Sequence, residues 1–376
     1  MSVVQGFTKG KFEPVRAAFE SNFASGADLG ASYCATIAGE TVVDMWGGFA
    51  DEARTRPWQK DTIVNVYSTT KTMTALTALL IADRGELDFD APVARYWPEF
   101  AANGKRDVKV SHLMSHSAGL SGWKEKMVAQ DLYDWEKATS LLAAQAPYWE
   151  PGTAPGYHAV TQGYLVGEVV RRITGRSVGT VFREEIAAPL DADFHIGLPA
   201  SEDARVAELI PPEVGGISQG PQTELQKNMA TNPPIDPMST RTRAWRAAEI
   251  PAAGGTGNAR SVAEIHMLLA NGGIAKGKRI LSEAGCRKAL EPQIEGQDLI
   301  LGIPVRYGMG FGLPGEMIPL PNPNTIFWGG YGGSLVIIDM DAHTTFAYAM
   351  NRMQGTTTGD MRAFTLAMAM WQAMAA

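Results

Sequence analysis

Residues 61–87 read DTIVNVYSTTKTMTALTALLIADRGEL. Ile63 to Tyr67 alternates as a short strand does. From Ser68 onward, good helix formers together with Met73, Leu76, Leu79, Leu80 and Ile81 predict a buried helix. Gly85 stands where a helix ends in a left-handed cap. Ser68 then falls at or near the N-cap and Lys71 lies three residues on, so both side chains project from one face of the first turn. An alkoxide on Ser68 gains from the helix dipole, and an apolar helix surface penalises the charged form of Lys71, making it a proton acceptor. These residues alone leave two readings open. One is a Ser-Lys nucleophile; the other is a serine N-cap on a core helix, with the lysine reaching back to solvent.

The rest of the chain narrows the function classes. Its 376 residues suffice for two or three domains and a sizeable core. Hydrophobic residues at 45% and charged residues at 19% place it among folded globular chains. A net charge of -7, with basic runs no denser than Arg171-Arg172 and Lys276 to Arg279, argues against nucleic acid. Cys34 and Cys286 are the only cysteines and lie too far apart in sequence to suggest a disulfide framework. The first residues, MSVVQGFTKGKFEP, lack the apolar core and cleavage site of a secretory signal, and no run is long enough to span a membrane. The expectation is a soluble cytoplasmic protein without a membrane partner. Gly329 to Gly333 fits neither the phosphate-loop nor the dinucleotide pattern, and no cofactor is expected.

Taken in order, Phe12 to Phe23 has helical spacing, and Ser32 to Ala38 and Thr41 to Trp46 form a predicted hairpin across Gly39-Glu40. From Leu87 to Thr174, Val110 to Ser115, Trp135 to Ala146 and Thr161 to Arg172 read as helices joined by Gly/Pro-rich loops. Thr180 to Pro251 is mostly irregular, the mark of a functional rim. Arg260 to Asn271 is helical, followed by strands at Arg306 to Leu313, Thr325 to Trp328, Ser334 to Met340 and Thr344 to Asn351, and by a closing apolar helix at Met361 to Met374. The pattern predicts an α+β fold. One antiparallel sheet is built from both chain ends and flanked by helices, with residues 1–86 and 175–376 forming the α/β domain and 87–174 an inserted all-helical one.

Other candidates are weaker. Ser121 and Lys124 share the same spacing but sit in a loop that runs into charged residues. Two G-x-S-x-G segments centre on Ser177 and Ser218, yet neither has the strand before and helix after that a nucleophile elbow needs. His112 and His116 are four apart, without the H-E-x-x-H form or an acidic partner, and read as structural. His158 reads equally as a neighbour of the site or as a surface residue. Trp123, Trp135, Trp149 and Trp245 read as packing residues before cleft residues.

With these residues in view, the chain resembles the serine β-lactamase and penicillin-binding-protein superfamily, and within it the family VIII carboxylesterases related to class C β-lactamases. Ser68-Thr69-Thr70-Lys71 matches the first motif. Pro151-Gly152 followed by Tyr157-His158-Ala159 is similar to the second, and Trp328-Gly329-Gly330 to the third in its esterase form. Leu113 to Leu120 also resembles a stretch common in the group. The resemblance implies a β-lactamase-like fold and an acyl-enzyme mechanism. Ser68 would attack, Lys71 and Tyr157 would share the proton transfers, with tyrosinate or proton relay as the two roles open to the tyrosine, and the N–H groups of Ser68 and Tyr331 would form the oxyanion hole. Trp328, Gly329 and Gly330 would line the substrate site. Ala159 and Trp328 replace the asparagine and lysine of β-lactamases, which favours a neutral ester with a short- to medium-length acyl chain. The rivals are a D-aminopeptidase, amide or weak β-lactam hydrolase on the same scaffold, and a non-catalytic ligand-binding protein.

Overall fold

A computed structural model describes residues 4–213, 222–316, 318–357 and 359–376. Its centre is a six-stranded antiparallel sheet whose strands run in the spatial order Val4–Thr8, Glu40–Gly48, Gly30–Ile37, Thr344–Met350, Leu335–Asp339, Thr325–Gly329. Both chain ends therefore meet in one sheet, as the sequence predicts. The three middle strands are buried along almost their whole length, so helices must cover both faces. Adjacent residues show which helix covers which. Thr345 bonds the Ala263 carbonyl of helix Ala259–Ala270 at 3.1 Å, while Phe346, pointing the other way, meets Trp371 of helix Met361–Ala375. Helix Glu13–Ala24 packs beside that C-terminal helix. None of the helices formed by the described residues is long and apolar enough to cross a membrane.

The hairpin turn falls one residue earlier than expected, on Ala38 and Gly39. Both have positive φ, the two-residue geometry that matches strand twist. Strand Val4–Thr8 is unheralded in the sequence because four of its five residues are not buried, leaving no apolar alternation to read. Arg306 to Leu313 is not a strand of the main sheet. Pro304–Tyr307 pairs with Ile294–Gln297 as a separate ribbon, and Gly312 then bridges to Phe327 at the sheet edge.

The segment around Ser68 is more sharply bent than its pattern suggests. Only Val64–Asn65 is strand. Tyr67 turns the chain at φ 43°, its N–H held by the Asn65 side chain, and Tyr67–Thr69 forms a 3-10 turn leading into helix Thr70–Asp83. Ser68 thus sits in this turn, immediately before the N-cap residue Thr69, close to the expected position. The helix is buried from Thr70 to Ile81 and lies in the middle of the molecule. Its buried threonines each need a partner: Thr72, Thr74 and Thr77 donate to the carbonyls of Thr69, Pro251 and Met73. Gly85, at φ 76°, ends the helix as expected, with Gly85 and Glu86 N–H returning to Ala82 and Ile81 carbonyls.

One buried ion cluster ties the ends together. Arg362 pairs with Asp28 at 2.9 Å and Asp360 at 2.6 Å, and also bonds the Ala27, Arg352 and Gly332 carbonyls. Removing the cation would strand two carboxylates. Arg362→Met should lower unfolding free energy by about 3–5 kcal/mol, read from urea denaturation; a loss below about 1 kcal/mol would show the cluster to be dispensable.

Candidate active site

The bend at Tyr67 delivers Ser68 to the boundary between sheet and helices, with only 8% of its surface exposed. Lys71 is fully buried. Its Nζ lies 3.1 Å from Ser68 Oγ, 2.7 Å from the Ala159 carbonyl and 2.9 Å from the Ala252 carbonyl. Burial holds its pKa well below the ordinary lysine value. A neutral amine has two N–H groups and one lone pair. In this cage a neutral Lys71 would give its two hydrogens to the carbonyls and turn its lone pair to the serine hydroxyl. The snorkelling alternative is thereby excluded.

Tyr157 completes the arrangement, its hydroxyl 2.6 Å from Ser68 Oγ. Burial raises its pKa above the ordinary tyrosine range, and hydrogen bonds with Ser68 and Trp328 only partly offset this. Burial thus favours the protonated phenol, the form that a proton relay would use. The Pro151-Gly152 turn does precede it, but what fixes it is Asp298. That buried carboxylate accepts the backbone N–H groups of Tyr157, Ile300 and Leu301 on one oxygen and the Tyr307 hydroxyl on the other.

Trp328 lies on strand Thr325–Gly329 and stacks on His116, with centroids 5.3 Å apart, while His116 also meets the Tyr157 and Tyr307 rings at 5.1 Å. His116 has left the Val110–Met114 helix and sits at φ 58°, so it does not share a helix face with His112. His158 is buried. It accepts the Leu120 N–H and donates to the Gly156 carbonyl, and burial pushes its pKa down to about 3, so it joins two loops as a neutral ring.

Beyond the strand, Gly330 approaches the bend before Ser68 so closely that a Cβ there would lie 2.2 Å from the Val66 carbonyl oxygen. The close approach at Gly330 is thus to the protein's own backbone. It brings Tyr331 against Tyr67, their rings 5.5 Å apart. The N–H groups of Gly330 and Gly332 are occupied by Ser334 and Thr356 carbonyls. Those of Ser68 and Tyr331 meet no acceptor among the described residues.

The remaining candidates fall away. Ser177 caps helix Val178–Phe182 and donates to Glu249 at 2.6 Å. Ser121 is buried without a side-chain partner, while Lys124 turns to the Pro147 carbonyl instead. Ser218 lies outside the described residues. Trp123 and Trp245 are core residues, and Trp135 and Trp149 are tied by their indole N–H groups to Glu168 and the Ala154 carbonyl. Sequence reasoning missed Asp298, Tyr307 and the Ala252 carbonyl, and read His116 as structural without placing it beside Tyr157 and Trp328. No local pattern marks them, because each works through a contact made across the fold.

The sequence profile of the beta-lactamase family matches residues 15–369, and the chain belongs to that family. Among solved structures, a family VIII carboxylesterase is 44% identical at a TM-score of 0.94, covering 98% of this chain and 99% of its own. A penicillin-binding protein homolog from Caulobacter crescentus is 38% identical at a TM-score of 0.92, covering 98% and 99%. The Mycobacterium tuberculosis protein named esterase/beta-lactamase LipL is 35% identical over 93% of this chain and 83% of its own length.

Asp298 is a direct test of how Tyr157 is held. Asp298→Ala would leave buried donors without an acceptor and should cost about 3 kcal/mol of stability, whereas Asp298→Asn keeps an oxygen and should cost less than half of that. Equal losses in urea titrations would show that the acceptor oxygen is not what matters.

Proposed function

We propose that the protein is a serine carboxylesterase acting through an acyl-enzyme, with Ser68 as nucleophile. The observation that carries this is the position of Ser68 Oγ between the Lys71 amine and the Tyr157 hydroxyl. Neutral Lys71 takes the Ser68 proton as Oγ adds to the ester carbonyl. The N–H groups of Ser68 and Tyr331 receive the oxyanion, and each such donor typically contributes about 2.7–4 kcal/mol. As the tetrahedral intermediate collapses, Tyr157 gives its proton to the departing alkoxide, and the neighbouring Lys71 ammonium returns a proton to the phenolate, leaving the amine neutral again. Water then repeats the sequence on the acyl-serine, releasing the acid and restoring Ser68.

The substrate is a neutral ester with a short- to medium-length acyl chain. Where a lysine would offer charge to an anionic substrate, Trp328 offers an indole stacked on the neutral ring of His116. A similar chain bears the name esterase/beta-lactamase, and the same apparatus would attack a strained lactam; weak β-lactam hydrolysis is the second reading. A cytoplasmic setting is part of the proposal and is supported by two buried, unpaired thiols, Cys34 and Cys286.

Because Ser68 and Lys71 act as one unit, Ser68→Ala and Lys71→Ala should each lower kcat for p-nitrophenyl acetate by about 10³-fold or more. A lysine variant within about ten-fold of wild type would refute the mechanism. The pH profile of kcat/KM reports free-enzyme groups. Activity requires the Lys71 amine, so it falls as pH drops through that group's lowered pKa and is complete well below the ordinary lysine value of about 10.4. A limb at the ordinary lysine value would mean the ammonium is not depressed by burial.

A further inference from the structure

We infer that the site takes its large group on the alcohol side of the ester, so that the preferred substrates are short-acyl esters of bulky, uncharged alcohols. This rests on the Ser68 reading above. A cavity of about 460 Å³ opens between the Ile294–Gln297/Pro304–Tyr307 ribbon and the end of strand Thr325–Gly329. It would hold roughly fifteen waters at about 30 Å³ each, a small-molecule site rather than a slot for a methyl or ethyl group. Leu301, Val305, Leu313, Phe327 and Phe364 form its walls, and Tyr157 and Trp328 line its inner end.

Charge is confined to the mouth. Among the described lining residues the charged ones are Glu295, Arg306 and Glu316. The Glu295 side chain is 72% exposed and lies 3.6 Å from Arg306, which also bonds the Pro314 carbonyl. Arg306 is thus already engaged, and the interior suits a hydrocarbon and penalises an ionised group.

Which side of the ester enters follows from what borders the cavity. Tyr157 lines it, whereas Ser68, Lys71 and Tyr331 do not. Tyr157 is the group that hands its proton to the departing alkoxide. The carbon attached to that oxygen therefore lies beside Tyr157, and its chain extends along Trp328 into the cavity.

A pair of isomers tests this: 2-naphthylmethyl acetate places the rings on the alcohol, and methyl 2-naphthylacetate places them on the acid, both with primary alkoxide leaving groups. Wild type should favour the first by about ten-fold or more in kcat/KM. Val305→Trp, filling the cavity from the partly exposed ribbon, should shrink that ratio several-fold by raising KM for the acetate isomer. If this variant does not fold, the wild-type ratio decides alone. Ethyl acetate turnover that is lost in Ser68→Ala checks the esterase reading separately. Turnover of small esters with equal or inverted isomer preference overturns the inference and leaves that reading standing. No turnover of any of the three esters overturns both.

Discussion

A lysine amine sealed among backbone carbonyls is the constraint on which the site depends. Lys71 has no acidic partner among the described ion pairs; its neighbours are the Ala159 and Ala252 carbonyls and the Ser68 hydroxyl. Such a cage accommodates a neutral amine and disfavours an ammonium, since burying an unpaired charge is costly. Three separate parts of the chain must meet to build it: the buried helix that carries Lys71, the segment after Tyr157, and the turn at residues 251–253, whose Pro251 carbonyl also accepts Thr74. The fold supplies this convergence because helix Thr70–Asp83 runs through the middle of the molecule, packed against helix Thr161–Thr174.

Around that amine the polar groups are fixed and the substrate wall is apolar. Asp298 holds the Tyr157 backbone, and the Tyr157, His116, Trp328 and Tyr307 rings pack on one another. His116 stays neutral, its pKa pushed well down by burial, so it adds no charge beside the tyrosine. In the proposed mechanism, charge would be stabilised only where the reaction creates it, at the Ser68–Lys71 pair and at two backbone N–H groups. Preorganised donors in a water-poor cleft are more effective than the same groups in solvent.

Much of this was legible in the sequence, for a physical reason. A helix buried on all sides still shows its apolar positions, and a serine three residues before a lysine at the start of such a helix projects from the same side, so spacing made Ser68 and Lys71 a candidate pair; Ser121 and Lys124 share the spacing without the helix, and the resemblance to known motifs decided between them. Tyr157, Trp328 and Tyr331 lack such a local rule and were placed through the resemblance to known motifs. Other features were hidden because their cause is tertiary. The bend at Tyr67 depends on an Asn65 side chain, the ribbon at Pro304–Tyr307 on a partner strand too polar to stand out, and Asp298 on loops that meet only after folding. The edge strand Val4–Thr8 is specified by pairing with Glu40–Gly48 and by contacts with helix Glu13–Ala24, such as the Arg16 bond to the Gly6 carbonyl.

If this arrangement makes Ser68 alone nucleophilic, a p-nitrophenyl alkylphosphonate should single it out. Intact-mass analysis and peptide mapping after the reaction should find one phosphonyl group per chain, located on Ser68, with p-nitrophenol released in the same amount and no labelling of Lys71→Met on the same timescale. A label on Ser177, Ser121 or another serine, or equally fast labelling of the lysine variant, would contradict that role for Ser68.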